Sequence, residues 1–159
     1  MNYKNKKVLV YGLESSGYAA IKLLQKIGAD VYVFDDDIGG KEIPKGVTVV
    51  PSAKFSETAD LTVLSPAISI DNPSIKKAVS EDKVTGELAF AADFLESEFI
   101  AVSGTNGKTT VTLMINDVLN GAGYESYALG NIGVPLSEKA LSLHSDDIAV
   151  VEVSSFQLE

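Results

Sequence analysis

Cysteine is absent from the 159 residues, so neither a disulfide framework nor a thiolate metal site is available. No uninterrupted apolar run is long enough to cross a bilayer. Basic residues number 13 against 22 acidic ones, giving a formal net charge of −9, and they form no cluster. This argues against nucleic-acid binding, and it means that any phosphate site must be built locally against a repelling overall field. The opening Met1-Asn2-Tyr3-Lys4-Asn5-Lys6-Lys7 leads into a strand and not into the apolar core of a signal peptide. A cytoplasmic protein without membrane insertion is expected, and a monomer. The one histidine, His144, lies in Ser-Leu-His-Ser-Asp-Asp, which reads as a surface loop without function. What is present is an ordinary globular composition, 45% apolar and 22% charged, with length for one domain or two small ones.

The chain is organised around Phe99-Ile100-Ala101-Val102-Ser103-Gly104-Thr105-Asn106-Gly107-Lys108-Thr109-Thr110. An apolar run, a glycine-rich turn, Lys-Thr and a helical pattern follow one another, the order of a phosphate cradle. Gly104 and Gly107 let backbone N–H groups approach an anion, and the helix start adds unpaired donors. Lys108 can reach the β- and γ-phosphates, and the Thr109 hydroxyl can hold Mg²⁺. The strict P-loop has a glycine where this chain has Val102, so the match is partial. In the helix after Lys108, Val111, Met114, Ile115, Val118, Leu119 and Ala122 form a stripe expected to pack on the sheet. Further on, Ile148 to Ser155 is a continuous apolar strand interrupted by Glu152. A carboxylate there should be paired or beside a cation, and a strand-borne carboxylate near a nucleotide helps hold Mg²⁺.

The front half opens as a βαβ unit. Lys7 to Gly12 reads as a buried parallel strand, Gly12 to Gly17 as a turn, and Ala19, Ala20, Leu23, Leu24 and Ile27 as one helix face. Val31 to Asp35 is the second strand, with Asp35 where dinucleotide folds meet a ribose hydroxyl. Glu14 replaces the glycine that lets a pyrophosphate touch the backbone, which discounts an NAD site of the usual kind. Ser15 and Ser16 are either helix caps or ligand donors. Asp36 and Asp37 read equally as a solvated loop or as part of a ligand edge. Strands are expected at 47–50 and within 61–68, a short helix from Pro73, and helical spacing at Leu88, Ala91, Ala92 and Leu95. Tyr124 to Leu129 is a further strand, Gly130-Asn131-Ile132-Gly133 a turn, and Leu136, Ala140 and Leu141 a helix face. A boundary at 93–98 divides the chain into domains 1–95 and 96–159. A helix begun at Ser154 has no second turn, so the chain reads as the front part of something longer.

Three blocks together resemble the Mur ligases: Ser103-Gly104-Thr105-Asn106-Gly107-Lys108-Thr109-Thr110, Gly130-Asn131-Ile132-Gly133 and Val151-Glu152-Val153-Ser154-Ser155-Phe156-Gln157-Leu158-Glu159. The last is similar to the family's D-glutamate-adding branch. Ser65-Pro66-Ala67-Ile68 resembles its Ser-Pro-Gly-Ile turn, with Ala67 in place of glycine. The resemblance implies an α/β protein. A Rossmann-like N-terminal domain with a parallel sheet would bind the UDP substrate, followed by the start of a P-loop α/β ATP-binding domain. It implies ATP and Mg²⁺, and small-molecule substrates UDP-N-acetylmuramoyl-L-alanine and D-glutamate, joined through an acyl phosphate. Gly104, Thr105, Asn106, Gly107, Lys108, Thr109 and Thr110 would hold the nucleotide, with Lys108 and Glu152 catalytic and Thr109 and Glu152 on the metal. Ser15, Ser16, Asp35, Ala67 and Asn131 would face the UDP substrate. The rival readings are another ligase of the family, such as the L-alanine-adding one, and a non-catalytic nucleotide-binding module. A dehydrogenase is disfavoured by Glu14. The 159 residues alone are expected not to perform ligation.

Overall fold

Lys7–Tyr11 (β1) is buried at Val8, Leu9, Val10 and Tyr11, so both of its faces must be covered. In the computed structural model, which describes residues 2–154, this is what happens. β1 pairs in parallel with Asp30–Phe34 (β2) on one side and Leu61–Leu64 (β4) on the other. Thr48–Val49 (β3) and Val84–Gly86 (β5) complete a parallel sheet of order β3-β2-β1-β4-β5. The chain runs outward from β1 to β3, then crosses back to β4, so the topological switch point lies between β1 and β4. Open parallel sheets leave a ligand crevice there, outside the strands' C-terminal ends.

Alternation along β1 sorts its side chains. Val8 and Val10 join Val31, Val33 and Val63 on the face covered by Ser15–Lys26 (α1) and Glu87–Ala92 (α3). Leu9 and Tyr11 face the other way, toward the 3₁₀ turn Ala53–Glu57 and the segment where Pro73–Ile75 leads into Lys76–Ser80 (α2). The expected helix of the βαβ unit starts earlier than its pattern indicates. Glu14 takes the N-cap position without a side-chain cap bond, and Ser15 and Ser16 are already helical. Gly17 therefore lies inside α1, where an added Cβ would sit 2.0 Å from the Gly12 carbonyl oxygen. Only glycine lets the helix pass that close to the strand end.

The second sheet is also parallel, in the order Glu98–Val102 (β6), Ile148–Glu152 (β8), Ser126–Gly130 (β7). β8 is buried along its whole length, whereas β6 is an edge strand with Phe99 41% exposed. The helix Lys108–Gly121 (α4) packs on it through Ile115 and Leu119, which meet Val102, Ile148 and Val150. The expected stripe is corrected here. Val111, Met114 and Val118 point outward, at 45%, 61% and 70% exposure, and buried Thr112 takes the inward position. The reason is rotational. Thr109 is tied to β8, and at about 100° per residue that turns positions 111, 114 and 118 to the far side.

Leu136–Lys139 (α5) packs against α1 and α3 of the first sheet. Leu136, Ala140 and Leu143 are buried, but Leu141, expected on the same face, is 47% exposed because the helix ends before it. Leu129, Leu136, Ala149, Val151 and Val153 belong to one continuous apolar cluster with Val8, Ala20 and Phe90. The two sheets thus share a core through α1, α3 and α5. Of the helix expected from Ser154 onward, Ser154 itself is not helical and the rest, 155–159, lies outside the described residues. Among the described residues no helix is long and apolar enough to cross a membrane.

Candidate functional site

The loop after β6 is built on two glycines with positive φ. Gly104 stands at φ 150° and Gly107 at 76°, the latter as the N-cap of α4. A side chain at Gly107 would be strained in this left-handed conformation, and the turn depends on it to enter the helix with free N–H groups ahead. Val102 is explained by the same geometry. It is the last residue of β6, 9% exposed and packed on Ile148 and Val150, so the loop begins one residue later. Thr105 and Asn106 are exposed at the loop's crown, and Thr110 is exposed on the first turn of α4. The Lys108 ammonium donates to the Gly104 carbonyl at 2.9 Å, arching over the loop it closes.

Beside that loop, the Thr109 hydroxyl donates to Glu152 Oε2 at 2.7 Å. Glu152 is 6% exposed at the C-terminal end of β8. A neutral hydroxyl satisfies only part of a buried carboxylate, which has about four lone-pair sites. The Gly130–Gly133 block arrives at the same edge. Gly130 pairs with Glu152 in the ladder, and the Asn131 N–H donates to the Glu152 carbonyl at 3.1 Å. A Cβ at Gly130 would lie 2.5 Å from that carbonyl, so the close approach requires glycine. Among the described residues there is no cluster of three His, Asp or Glu that could hold a metal unaided. The pair Thr109–Glu152 supplies two oxygens. That suits Mg²⁺, which takes one or two protein oxygens and fills its shell with water and phosphate.

The first sheet contributes a second edge. A cavity of about 230 Å³ lies between the start of α1 (Glu14, Ser15, Ser16), the turn Ser65-Pro66-Ala67 after β4, and the turn Gly130–Pro135 after β7. Ser15 and Ala67 are exposed and Ser16 half-buried beside it. The Ser65 hydroxyl donates to the Gly12 carbonyl at 2.8 Å, fastening the β4 turn to the end of β1. The structure thus brings Ser15, Ser16, Ala67 and Asn131 around one cavity. Asp35 does not line it. Its carboxylate accepts the N–H groups of Leu13 and Asp37 and the ammonium of Lys41, and its side chain is 10% exposed. Burial works to raise its pKa, but the Leu13, Lys41 and Asp37 hydrogen bonds outweigh burial and leave it below the ordinary carboxylate value. Lys41 also reaches Glu14 at 2.9 Å. The two carboxylates hold its ammonium to a raised pKa, Glu14 foremost. The carboxylate that breaks the glycine fingerprint thus shares one ammonium with Asp35. Asp36 accepts from the Tyr11 hydroxyl at 2.7 Å, so it is tied down and not a free loop charge. Burial, then the bond to Asp36, pushes the Tyr11 hydroxyl up to about 12.

Two residues escape the sequence patterns. Lys41 sits in a Gly-Gly turn that reads as a flexible link. Glu87 opens α3, where an acid in a first turn is commonplace, yet it is 3% exposed and lines the cavity. Neither carries a spacing signal, because their partners lie on other elements.

Comparison with known proteins bears on the same stretches. Residues 102–159 match the Mur ligase middle domain. Over all of its length the chain is 38% identical to a UDP-N-acetylmuramoylalanine–D-glutamate ligase from Alkaliphilus metalliredigens, covering 38% of that protein. It is 41% identical over 98% of its length to the enzyme of the same name from Streptococcus uberis, covering 37% of it. Among solved structures, a pseudomurein peptide ligase type C from Methanothermus fervidus overlays 95% of the chain and 33% of its own, at 22% identity and a TM-score of 0.48. The chain therefore spans less than two fifths of the curated relatives it matches.

Proposed function

We infer, for a chain that belongs to the Mur ligase family, that it supplies the UDP-substrate site and the nucleotide loop of a ligase that adds D-glutamate to UDP-N-acetylmuramoyl-L-alanine. Residues 1–95 form the UDP-binding part and residues 96–159 open the ATP-binding part. The reaction is proposed for a cytoplasmic protein of the relatives' full length, of the first of which the chain spans 38%. The observation that carries this reading is the Thr109–Glu152 contact at 2.7 Å beside the Gly104–Gly107 loop, at the edge where Asn131 also arrives.

Each residue then has a physical task. The N–H groups of residues 104–110 and the start of α4 receive phosphate oxygens. Lys108 exchanges its bond to the Gly104 carbonyl for the charge between the β- and γ-phosphates and stabilises it as the γ-phosphoryl moves to the alanyl carboxylate. Thr109 and Glu152 would hold Mg²⁺, which neutralises charge on the transferring group. Ser15, Ser16 and Asn131 offer donors to the UDP substrate across the cavity, while Ala67 forms its wall. Asp35 acts there through Lys41 and the Leu13 N–H, fixing the β1–α1 turn. The acyl phosphate formed in this way is the electrophile that the D-glutamate amine attacks; the C–N bond forms as the carbonyl carbon's bond to phosphate breaks, and inorganic phosphate leaves.

Calorimetry of the chain with ATP and Mg²⁺, and separately with UDP-N-acetylmuramoyl-L-alanine, tests the two binding roles. Heat with each ligand is expected, and Lys108→Ala should abolish only the first. No heat at millimolar ligand in either titration would sink the reading. In a full-length protein, product formation with D-glutamate and not with L-alanine separates the branches of the family. The 159 residues alone should release no phosphate in response to D-glutamate.

A further inference from the structure

We propose that Glu87 is a positioning residue whose buried carboxylate locks the two walls of the substrate cavity to each other. It is the first residue of α3, in the first sheet's half of the molecule, and it accepts the N–H of Ser137 at 2.9 Å across 50 positions of sequence. Ser137 is the second residue of α5, a helix of 4 residues. The first N–H groups of any helix have no partner within it, and α5 finds one in the opposite half of the molecule.

The placement gives the bond a consequence. Glu87 lines the cavity of about 230 Å³ and also the neighbouring cavity of about 390 Å³ formed by residues 64–71 and 84–87. One wall of the smaller cavity, Ser65-Pro66-Ala67, is fastened to the first sheet by the Ser65–Gly12 bond. The other wall, Gly130–Pro135, is fastened to the second sheet by the Asn131–Glu152 and Gly130–Val134 backbone bonds. Each wall is thus rigid on its own sheet. Apolar contacts among α1, α3 and α5 join the sheets, but such contacts are non-directional and tolerate sliding. A second polar link, Lys22–Glu138 at 3.9 Å, is exposed and loose. The Glu87–Ser137 bond is short, directional and shielded from water, so it fixes where Asn131 stands relative to Ala67.

The chemistry of the residue supports a positioning role. Burying a carboxylate is costly, and an apolar side chain of similar size would fill the same space at lower cost. What an apolar residue lacks is an acceptor for the Ser137 N–H. The proposal rests on the reading of the cavity as the UDP-substrate site, and its test has an arm that does not.

That arm is hydrogen exchange on the unliganded chain. The Ser137 amide should be strongly protected although it sits in a first helical turn. Glu87→Gln keeps an acceptor oxygen and should preserve that protection. Glu87→Ala should speed exchange across 130–140 by about 10-fold or more, the factor a hydrogen bond to a charged group is worth, with β1 and α1 unchanged. The second arm is calorimetry with UDP as the probe, where Ala should weaken binding by about 10-fold and Gln by less than about 2-fold. A Ser137 amide that exchanges like an exposed one in the unaltered chain overturns the proposal, even if the Ala variant fails to fold. So does a Gln variant with normal exchange that loses UDP binding, since that marks a charge touching the ligand. If UDP binds to none of the proteins, the reading of the cavity fails and the exchange arm alone decides the latch.

Discussion

Thr109 and Glu152 stand 43 positions apart and meet at 2.7 Å, one hydroxyl against one buried carboxylate. Thr109→Val keeps the shape and deletes the donor. It should cost about 1–3 kcal/mol in denaturant unfolding, because the part-buried carboxylate loses its hydroxyl donor. The same variant should lose the Mg²⁺ dependence of nucleotide binding. Glu87 and Asp35 give opposite pH signatures. Burial raises the Glu87 pKa, with the Ser137 bond opposing it, so the protonated form suits the folded state. Its favourable contribution is complete below the unfolded value of 4.5 and is lost as pH rises through the folded value. Glu87→Gln should therefore be no more stable than the parent in acid, and more stable near neutrality, as read from melting temperatures across that range. Asp35 has the reverse sense. Its net lowered pKa stabilises the fold above 3.8 and the benefit disappears as pH falls through the folded value. Asp35→Asn should be destabilised at neutral pH and approach the parent in strong acid. Lys108, Thr109 and Glu152 were legible in the sequence because each sits at a strand or helix end where its type is informative. Glu87 and Lys41 were not, because what distinguishes them is a partner on a distant element.

The elements repeat that lesson in α4. Its apolar residues occupy so much of the circumference that periodicity alone admits two inward faces. The tether from Thr109 to β8 selects the one containing Thr112, Ile115 and Leu119. Met114→Glu and Val118→Lys should consequently change unfolding free energy by no more than about 0.5 kcal/mol. Leu119→Ala should cost about 1–3 kcal/mol, below the range for a fully buried leucine because Leu119 is only partly covered. If Met114→Glu proves the more damaging in chemical denaturation, the orientation of α4 described here is wrong. β6 has the same outward bias, with Glu98, Phe99 and Ala101 exposed on an edge strand. Its amides should exchange faster than those of β1, which is paired and covered on both sides.

Across the whole molecule, one apolar cluster runs from Val8 and Val33 through Ala20, Phe90 and Leu136 to Ala149 and Val151. The proposed boundary at residue 95 therefore marks a change of sheet, while the packing is continuous across it. Heat unfolding of the chain should be a single cooperative transition, with calorimetric and van't Hoff enthalpies in agreement. Leu136→Ala, at the junction of α5 with α1 and α3, should lower stability by about 2–5 kcal/mol without splitting that transition. Two resolved transitions would show that the sheets fold independently and that the shared cluster contributes little.

The sequence by itself determined most of the order of strands and helices, though not β5, together with the parallel class of the first sheet and the glycine loop from Ser103 to Thr109. These are local matters: buried strands read as short apolar runs, and a phosphate loop needs glycines and Lys-Thr at fixed offsets. It also determined that Glu152 must find a partner, since an unpaired carboxylate on a buried strand is too costly to keep. Tertiary structure alone decided that this partner is Thr109, that Asp35 is held by Lys41 and the Leu13 N–H, and that Glu87 reaches Ser137. Each of these is a contact between elements. Sequence fixes the period of a helix but not the rotation at which it docks, and that rotation is set only when all the elements pack at once.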